Sequence, residues 1–163
     1  MPISSLPSPY GIGTLGKTAY DWINFLKESG QSWWQILPLG PTSYGDSPYQ
    51  SFSSAAGNPY LIDLDMLIEE GLLEKKDLSG INWGENPERV DYGAIFNSRF
   101  SVLHKAYLKG KDTMKEEFEA FREENEEWVE DYALFMSLKK HFDMKSWLDW
   151  PDEKARKRDE DAL

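Results

Sequence analysis

One short run, Trp33-Trp34-Gln35-Ile36-Leu37, sets the tightest limit on what this chain can fold into. It is apolar and aromatic, and it reads as a buried strand at about 32–37. Upstream, Ala19, Trp22, Ile23 and Leu26 recur at helical spacing, which predicts a helix over roughly 17–29 with Gly30 as its C-terminal cap. A helix leading straight into a strand is the αβ half of a βαβ unit, whose crossover favours a parallel sheet. A parallel strand is buried on both faces and needs neighbours on both sides. One strand, or at most two, among four or five helices does not close such a sheet. The chain therefore reads as part of an α/β protein, itself mainly α-helical with one or two short parallel strands.

The strand opens into a loop that carries the densest chemistry in the sequence. Residues 43–60 combine the turn formers Gly45, Asp46, Pro48, Gly57, Asn58 and Pro59 with four rings, Tyr44, Tyr49, Phe52 and Tyr60. A loop that only connects has little use for rings, because exposed aromatic surface is costly to hydrate. A polar and aromatic loop at the end of a buried strand suits a ligand with flat faces and many hydroxyls. Asp46 is its one acid. An Asp between Gly45 and Ser47-Pro48 reads first as a turn-maker bonding nearby N–H groups, and only second as a proton donor or acceptor.

Beyond the loop the pattern turns helical. Asp63 or Asp65 caps a short helix through Glu70, stopped by Gly71. Residues 74–90 read as irregular. From Asp91, Tyr92, Ile95, Phe96, Phe100, Leu103 and Tyr107 form one stripe ending near Gly110, on which Phe96 is expected in the core rather than beside a ligand groove. Met114, Phe118, Phe121, Trp128, Tyr132, Phe135 and Met136 form a second, on one long helix or on two with a break near Asn125. Residues 152–161 are charged with no apolar face and read as a solvated helix or linker. Trp33 and Trp34, adjacent on the predicted strand, are both expected in the core.

Several functions are disfavoured by composition and spacing. A formal charge of −11 repels a phosphate backbone, so neither nucleic acid nor an anionic membrane is an expected partner. There is no Cys, hence no disulfide framework and no thiol site, which fits a reducing, cytoplasmic setting. No run reaches the roughly 18 apolar residues of a spanning helix. Gly11-Ile12-Gly13-Thr14-Leu15-Gly16 has the spacing of a dinucleotide fingerprint. However, Pro7 and Pro9 stand where the preceding strand belongs, and Leu37-Pro38-Leu39-Gly40 offers no ribose-binding acid. His104 and His141 lie on different helices without further ligands at metal-binding spacing. No cofactor is expected.

Four motifs in register point to a family. Ser5-Leu6-Pro7-Ser8-Pro9-Tyr10-Gly11-Ile12-Gly13, Trp34-Gln35-Ile36-Leu37-Pro38-Leu39-Gly40-Pro41-Thr42, Tyr44-Gly45-Asp46-Ser47-Pro48-Tyr49-Gln50-Ser51-Phe52-Ser53 and Ala56-Gly57-Asn58-Pro59-Tyr60-Leu61-Ile62 resemble the opening of the amylomaltases. These are 4-α-glucanotransferases of glycoside hydrolase family seventy-seven. The likeness resumes at Arg89-Val90-Asp91-Tyr92 and at Trp128-Val129-Glu130-Asp131-Tyr132-Ala133-Leu134-Phe135-Met136.

The resemblance implies an α-amylase-type (β/α)8 TIM barrel with a mostly helical inserted subdomain. Residues 1–65 would start the barrel and carry a substrate-binding loop at 40–60. Residues 66–150 would form the helical subdomain, and 151–163 a charged helix or linker. The implied reaction moves a segment of an α-1,4-glucan to the 4-hydroxyl of another glucan by retaining double displacement, without metal or nucleotide. Malto-oligosaccharides and the remainder of the barrel are the implied partners. Tyr49 matches a tyrosine that stacks on the glucose beside the cleaved bond, with Ser47 as a hydroxyl donor, Asp46 shaping the loop, and Tyr44 matching a second, surface glucan site.

The three catalytic carboxylates of the family lie beyond the matched region, so the chain alone is expected to be inactive. The alternative reading is a non-catalytic α-glucan-binding fragment. With strand and stripes uncovered, the isolated chain is expected to be partly molten or aggregation-prone.

Overall fold

Asp63, Asp91 and Asp152 each begin a helix by the same device. Their carboxylates accept backbone N–H bonds from Met66, Ala94 and Ala155, which would otherwise go unpaired in the first turn. The computed structural model describes residues 1–43 and 45–159. Six α-helices are found among them: α1 (Lys17–Glu28), α2 (Leu64–Glu69), α3 (Tyr92–Gly110), α4 (Lys115–Glu124), α5 (Val129–His141) and α6 (Glu153–Arg156). Single turns of 3-10 helix at Ile3–Ser5, Pro59–Leu61, Lys75–Leu78 and Trp147–Asp149 join them. No described helix is long and apolar enough to cross a membrane. The chain divides into two compact units, Met1–Glu116 and Glu117–Leu163.

In the first unit the buried residues fall into three clusters. Ile3, Leu6, Ala19 and Leu61 pack together with the half-buried Trp22 and Trp34. Ile12, Tyr60 and Ile95 pack with Trp83 and Tyr92, while Leu64, Leu73, Leu78, Val102 and Ala106 form the third. α3 serves two of them, because Ile95, Arg99, Val102, Ala106 and Gly110 are buried along one face.

That face is not the stripe expected from the sequence. Ile95 belongs to it, but Phe96, Phe100 and Tyr107 are exposed by 46%, 43% and 59%. Phe96 is therefore not core. It meets Phe100 edge-on at 5.9 Å on the outer side of the helix. α3 is apolar around more of its circumference than one contact surface can cover, and the narrower face with Val102 and Ala106 packs closer.

The expected strand at 32–37 does not form. Among the described residues the β-type pairing is a lone antiparallel bridge, Thr42 with Ser51. A strand is defined by its ladder, and among the described residues no other segment exchanges backbone hydrogen bonds with this one. Without that cover Trp33 is 91% exposed, a correction to its expected place in the core. Trp34 is half-buried, edge-on to Trp22 at 6.5 Å, with its indole N–H donating to the Met1 carbonyl at 2.7 Å. Ile23, expected on the buried face of α1, is likewise exposed, while Ala19 is buried.

The three glycines of the dinucleotide-like run have a packing explanation. A Cβ at Gly13 would overlap the Ile3 carbonyl, one at Gly16 the Asp63 carboxylate, and one at Gly11 the Trp83 carbonyl. These are backbone approaches within the fold rather than a phosphate cradle.

In the second unit the helical stripe is broken near Asn125. The Asn125 side chain donates to the Phe121 carbonyl at 2.8 Å and accepts from the Trp128 indole at 3.0 Å, which stops α4 and sets the start of α5. Trp150 is buried against Phe142 and Phe135, with ring centroids 5.1 and 6.1 Å away. The charged run from 152 holds α6, whose Ala155 is buried, and Arg158 forks onto Asp131 at 2.6 and 3.2 Å.

Candidate functional site

The aromatic loop is held at its base by short-range bonds. The Asn58 N–H donates to the Leu39 carbonyl at 2.7 Å, closing residues 40–57 into one excursion. Within it Thr42 bridges Ser51. Ser51 and Ser53 also bond one another, the Ser51 hydroxyl donating to the Ser53 carbonyl at 2.6 Å. On the return, Asn58 accepts from the Tyr60 N–H at 2.9 Å, which starts the Pro59–Leu61 turn. Leu61 then accepts from the Leu15 N–H at 2.9 Å. Tyr60 is buried, with Tyr92 and Phe100 of α3 at 6.4 and 5.7 Å.

Between these anchors the loop presents Tyr49, which is 74% exposed. Its N–H leans on the Ser47 hydroxyl at 3.4 Å, and Gln50 donates to the Ser47 carbonyl at 3.1 Å, so Ser47-Pro48-Tyr49-Gln50 is a turn with Tyr49 at its tip. Ser47 is half-buried, and its hydroxyl keeps a proton to donate. Asp46 occupies the left-handed region with φ 55° and donates its N–H to the Ser43 carbonyl at 3.0 Å. Its turn-making thus resides in the backbone, which Asp tolerates there better than most residues. Burial raises its carboxyl above the ordinary value, and its charge is felt by the phenols of Tyr60 and Tyr92. Tyr44 lies outside the described residues.

Two concave spaces lie nearby. Beneath the loop, Leu37, Leu39, Asp46, Pro48, Asn58 and Tyr92 border a cavity of about 70 Å³, room for about two waters. A wider cleft of about 440 Å³ lies among Asn82, Glu85, Asn86, Arg89, Asp91 and Tyr92. Its acceptors are engaged by the backbone: Asn82 takes the Gly84 N–H, Asn86 the Glu88 N–H, and Asp91 the Ala94 N–H. Among the described residues no three His, Asp or Glu gather to hold a metal ion. His104 stacks on Tyr107, and His141 meets Phe142 edge-on. The outer face of the loop, with Tyr49 exposed at its tip, is the candidate binding surface.

One residue escaped the reading of the sequence. Arg99, on the inner face of α3, is fully buried and donates through Nη2 to the Ile62 carbonyl. Its place at the centre of a buried helical face, four residues after Ile95 and three before Val102, was the available signal. Next to Ile62, Asp63 accepts both the Met66 N–H at 2.9 Å and the Thr14 hydroxyl at 2.5 Å.

Comparison with known proteins agrees on one assignment. The family model described as 4-alpha-glucanotransferase matches residues 1–163. A 4-alpha-glucanotransferase of Clostridium butyricum is 54% identical over 161 residues, covering 98% of this chain and 33% of its own length. One of Thermus thermophilus is 50% identical, over 98% of this chain and 32% of its own length. Among solved structures, the amylomaltase from Streptococcus agalactiae in complex with acarbose superposes with a TM-score of 0.95 at 46% identity. That match covers 99% of this chain and 33% of the amylomaltase. The chain thus spans about a third of the length of the relatives it matches. Matched along its whole length by the family model and superposing closely on a solved member, this chain belongs to the 4-alpha-glucanotransferase family, glycoside hydrolase family seventy-seven.

Proposed function

We propose that this chain is the N-terminal part of a 4-α-glucanotransferase and that its loop 40–60 binds the glucan. The observation that carries this is Tyr49, a 74% exposed ring at the tip of a turn whose loop is pinned at its base. A pyranose has an apolar C–H face that covers an aromatic ring, and a phenol can bond the adjoining hydroxyls. Ser47, beside it, donates a hydroxyl bond to the sugar, Asp46 shapes the turn, and Tyr44 serves a second, surface glucan site. The amylomaltase relative was solved in complex with acarbose, which supports a sugar ligand for the enzyme to which this chain would belong.

In the whole enzyme the loop would lie at the mouth of a (β/α)8 barrel, with residues 1–65 opening the barrel, 66–150 forming a helical subdomain and 151–163 a charged connection. The reaction is retaining transfer between α-1,4-glucans. It needs a nucleophilic carboxylate and an acid/base carboxyl about 5–5.5 Å apart across one bond. Those groups belong to the part of the enzyme outside this chain, so the chain alone binds glucan without transferring it. The uncovered face of Trp33, Ile36, Leu37 and Leu39 is where the rest of the barrel docks. The absence of Cys fits a reducing, cytoplasmic setting, and the charge of −11 disfavours nucleic acid and anionic membranes as partners.

The test is a fusion of this chain to the remaining two thirds of the Streptococcus agalactiae amylomaltase. Disproportionation of maltotriose into glucose and longer dextrins is the expected result, and the chain alone should give none. A soluble, folded fusion without that activity would overturn the proposal.

A further inference from the structure

A charged side chain on the inner face of α3 is an expensive choice. Arg99 is fully buried, between Ile95 and Val102 on a helix face that an apolar residue would fill more cheaply. Its Nε and Nη1 have no hydrogen-bond partner among the described residues. The charge is held largely by one directed bond, from Nη2 to the Ile62 carbonyl. Asp63 and Tyr10 act on it electrostatically, from the stretch before α2 and from the N-terminal segment, and Tyr10 in turn donates to Asp65 at 2.5 Å. Burial lowers the guanidinium to about 10, so it stays charged at neutral pH.

The bond falls where the aromatic loop returns to the body of the unit. Ile62 follows Leu61, which accepts the Leu15 N–H, and Tyr60, which lies against Tyr92 and Phe100. α3 thus grips this return at two points, through the aromatic pair around Tyr60 and through Arg99. We propose that Arg99 is a positioning residue for glucan binding, fixing the 59–62 return so that the loop presents Tyr49 in one place. The inference rests on the glucan-binding reading of Tyr49. Losing the anchor widens the range of positions the ring samples, and ordering it again on binding weakens affinity.

The experiment is a titration of the chain with maltoheptaose, followed by NMR, for wild type, Arg99→Met and Arg99→Lys. Arg99→Met should raise Kd about five- to tenfold while the dispersed resonances of the folded unit persist. Arg99→Lys should bind within about twofold of wild type at pH 7. It should then lose affinity between about pH 8 and 9, because a buried lysine deprotonates early, whereas wild type, with its guanidinium near 10, keeps its charge there. The Lys variant decides the question if Arg99→Met fails to fold: affinity lost while its dispersed resonances persist supports positioning, and affinity lost only together with that dispersion overturns it. Unchanged Kd in folded Arg99→Met, or a flat pH profile in Arg99→Lys, overturns the role of Arg99 alone. Wild type that does not bind maltoheptaose removes the glucan-binding reading itself, and this inference with it.

Discussion

Gly16 is where the packing explanation of the glycine run is most exposed to test. Its backbone, with φ −108° and ψ −153°, is extended and open to any residue, so alanine there carries no conformational strain. The obstacle is Asp63: an alanine Cβ would lie 2.0 Å from its Oδ2 and 2.8 Å from its Cβ. That carboxylate cannot simply turn away, since one oxygen caps α2 through Met66 and the other holds the Thr14 hydroxyl. Displacing it costs about 1 kcal/mol for the cap and about 1.5–3 kcal/mol for the charge-assisted bond. The stiffer unfolded chain of the alanine variant returns about 0.4–1 kcal/mol. Gly16→Ala should therefore destabilise the chain by about 2–3 kcal/mol. Urea unfolding followed by tryptophan fluorescence would show this as a midpoint lowered by about 1 M or more. In an Asp63→Gly background, where the cap is only slightly weakened and the space is free, the same change should cost less than about 0.5 kcal/mol. Additive effects, or a single variant as stable as wild type, would refute the idea that Asp63 is what demands glycine.

Two further outcomes follow from burial and exposure. Burial pushes the phenols of Tyr60 and Tyr10 up to about 12, helped by the Asp46 charge in the first case and the Asp65 bond in the second. Raised phenols stabilise fully below pH 10 and lose that contribution as pH climbs toward 12, about 2 kcal/mol for Tyr60. Arg99, lowered to about 10, works the other way over the same window, but one group against two leaves a net loss. The urea midpoint should fall from pH 9 to 11.5, and less steeply in Tyr60→Phe; parallel falls would contradict the assignment to Tyr60. Separately, the uncovered Trp33 and the outer face of α1, where Tyr20, Ile23 and Phe25 are exposed, should make the isolated chain bind a hydrophobic dye and self-associate at high concentration. A strictly monomeric sample that binds no dye would count against that.

What could be read from the sequence is what is decided locally. Gly71 as a stop, Asp63 as one of two candidate caps and a break near Asn125 as one of two helical readings depend on residues within one turn. The structure has Gly71 as expected and selects Asp63 over Asp65 and two helices over one. Trp33 could not be placed, because the burial of a strand is a property of its neighbours and none lies beside it here. The stripe on α3 held two overlapping apolar faces, and only packing chose Ile95, Val102 and Ala106 over Phe96 and Phe100. Thr14 meets Asp63 across 49 residues, and Arg99 meets Ile62 across 37, distances at which periodicity carries no information. Asp46 was legible as a turn residue but not in its manner, which lies in a positive φ and a backbone bond.

The central claim is that the outer face of loop 40–60 holds an α-glucan on Tyr49. Saturation-transfer difference NMR of maltoheptaose with the chain tests it most directly, because it reports which sugar protons lie against protein. Strong transfer to the ring C–H protons in wild type, retained in Tyr49→Phe and lost in Tyr49→Ala with the fold unchanged, is the expected result. Transfer that is equal in wild type and Tyr49→Ala, or absent from both, would contradict it.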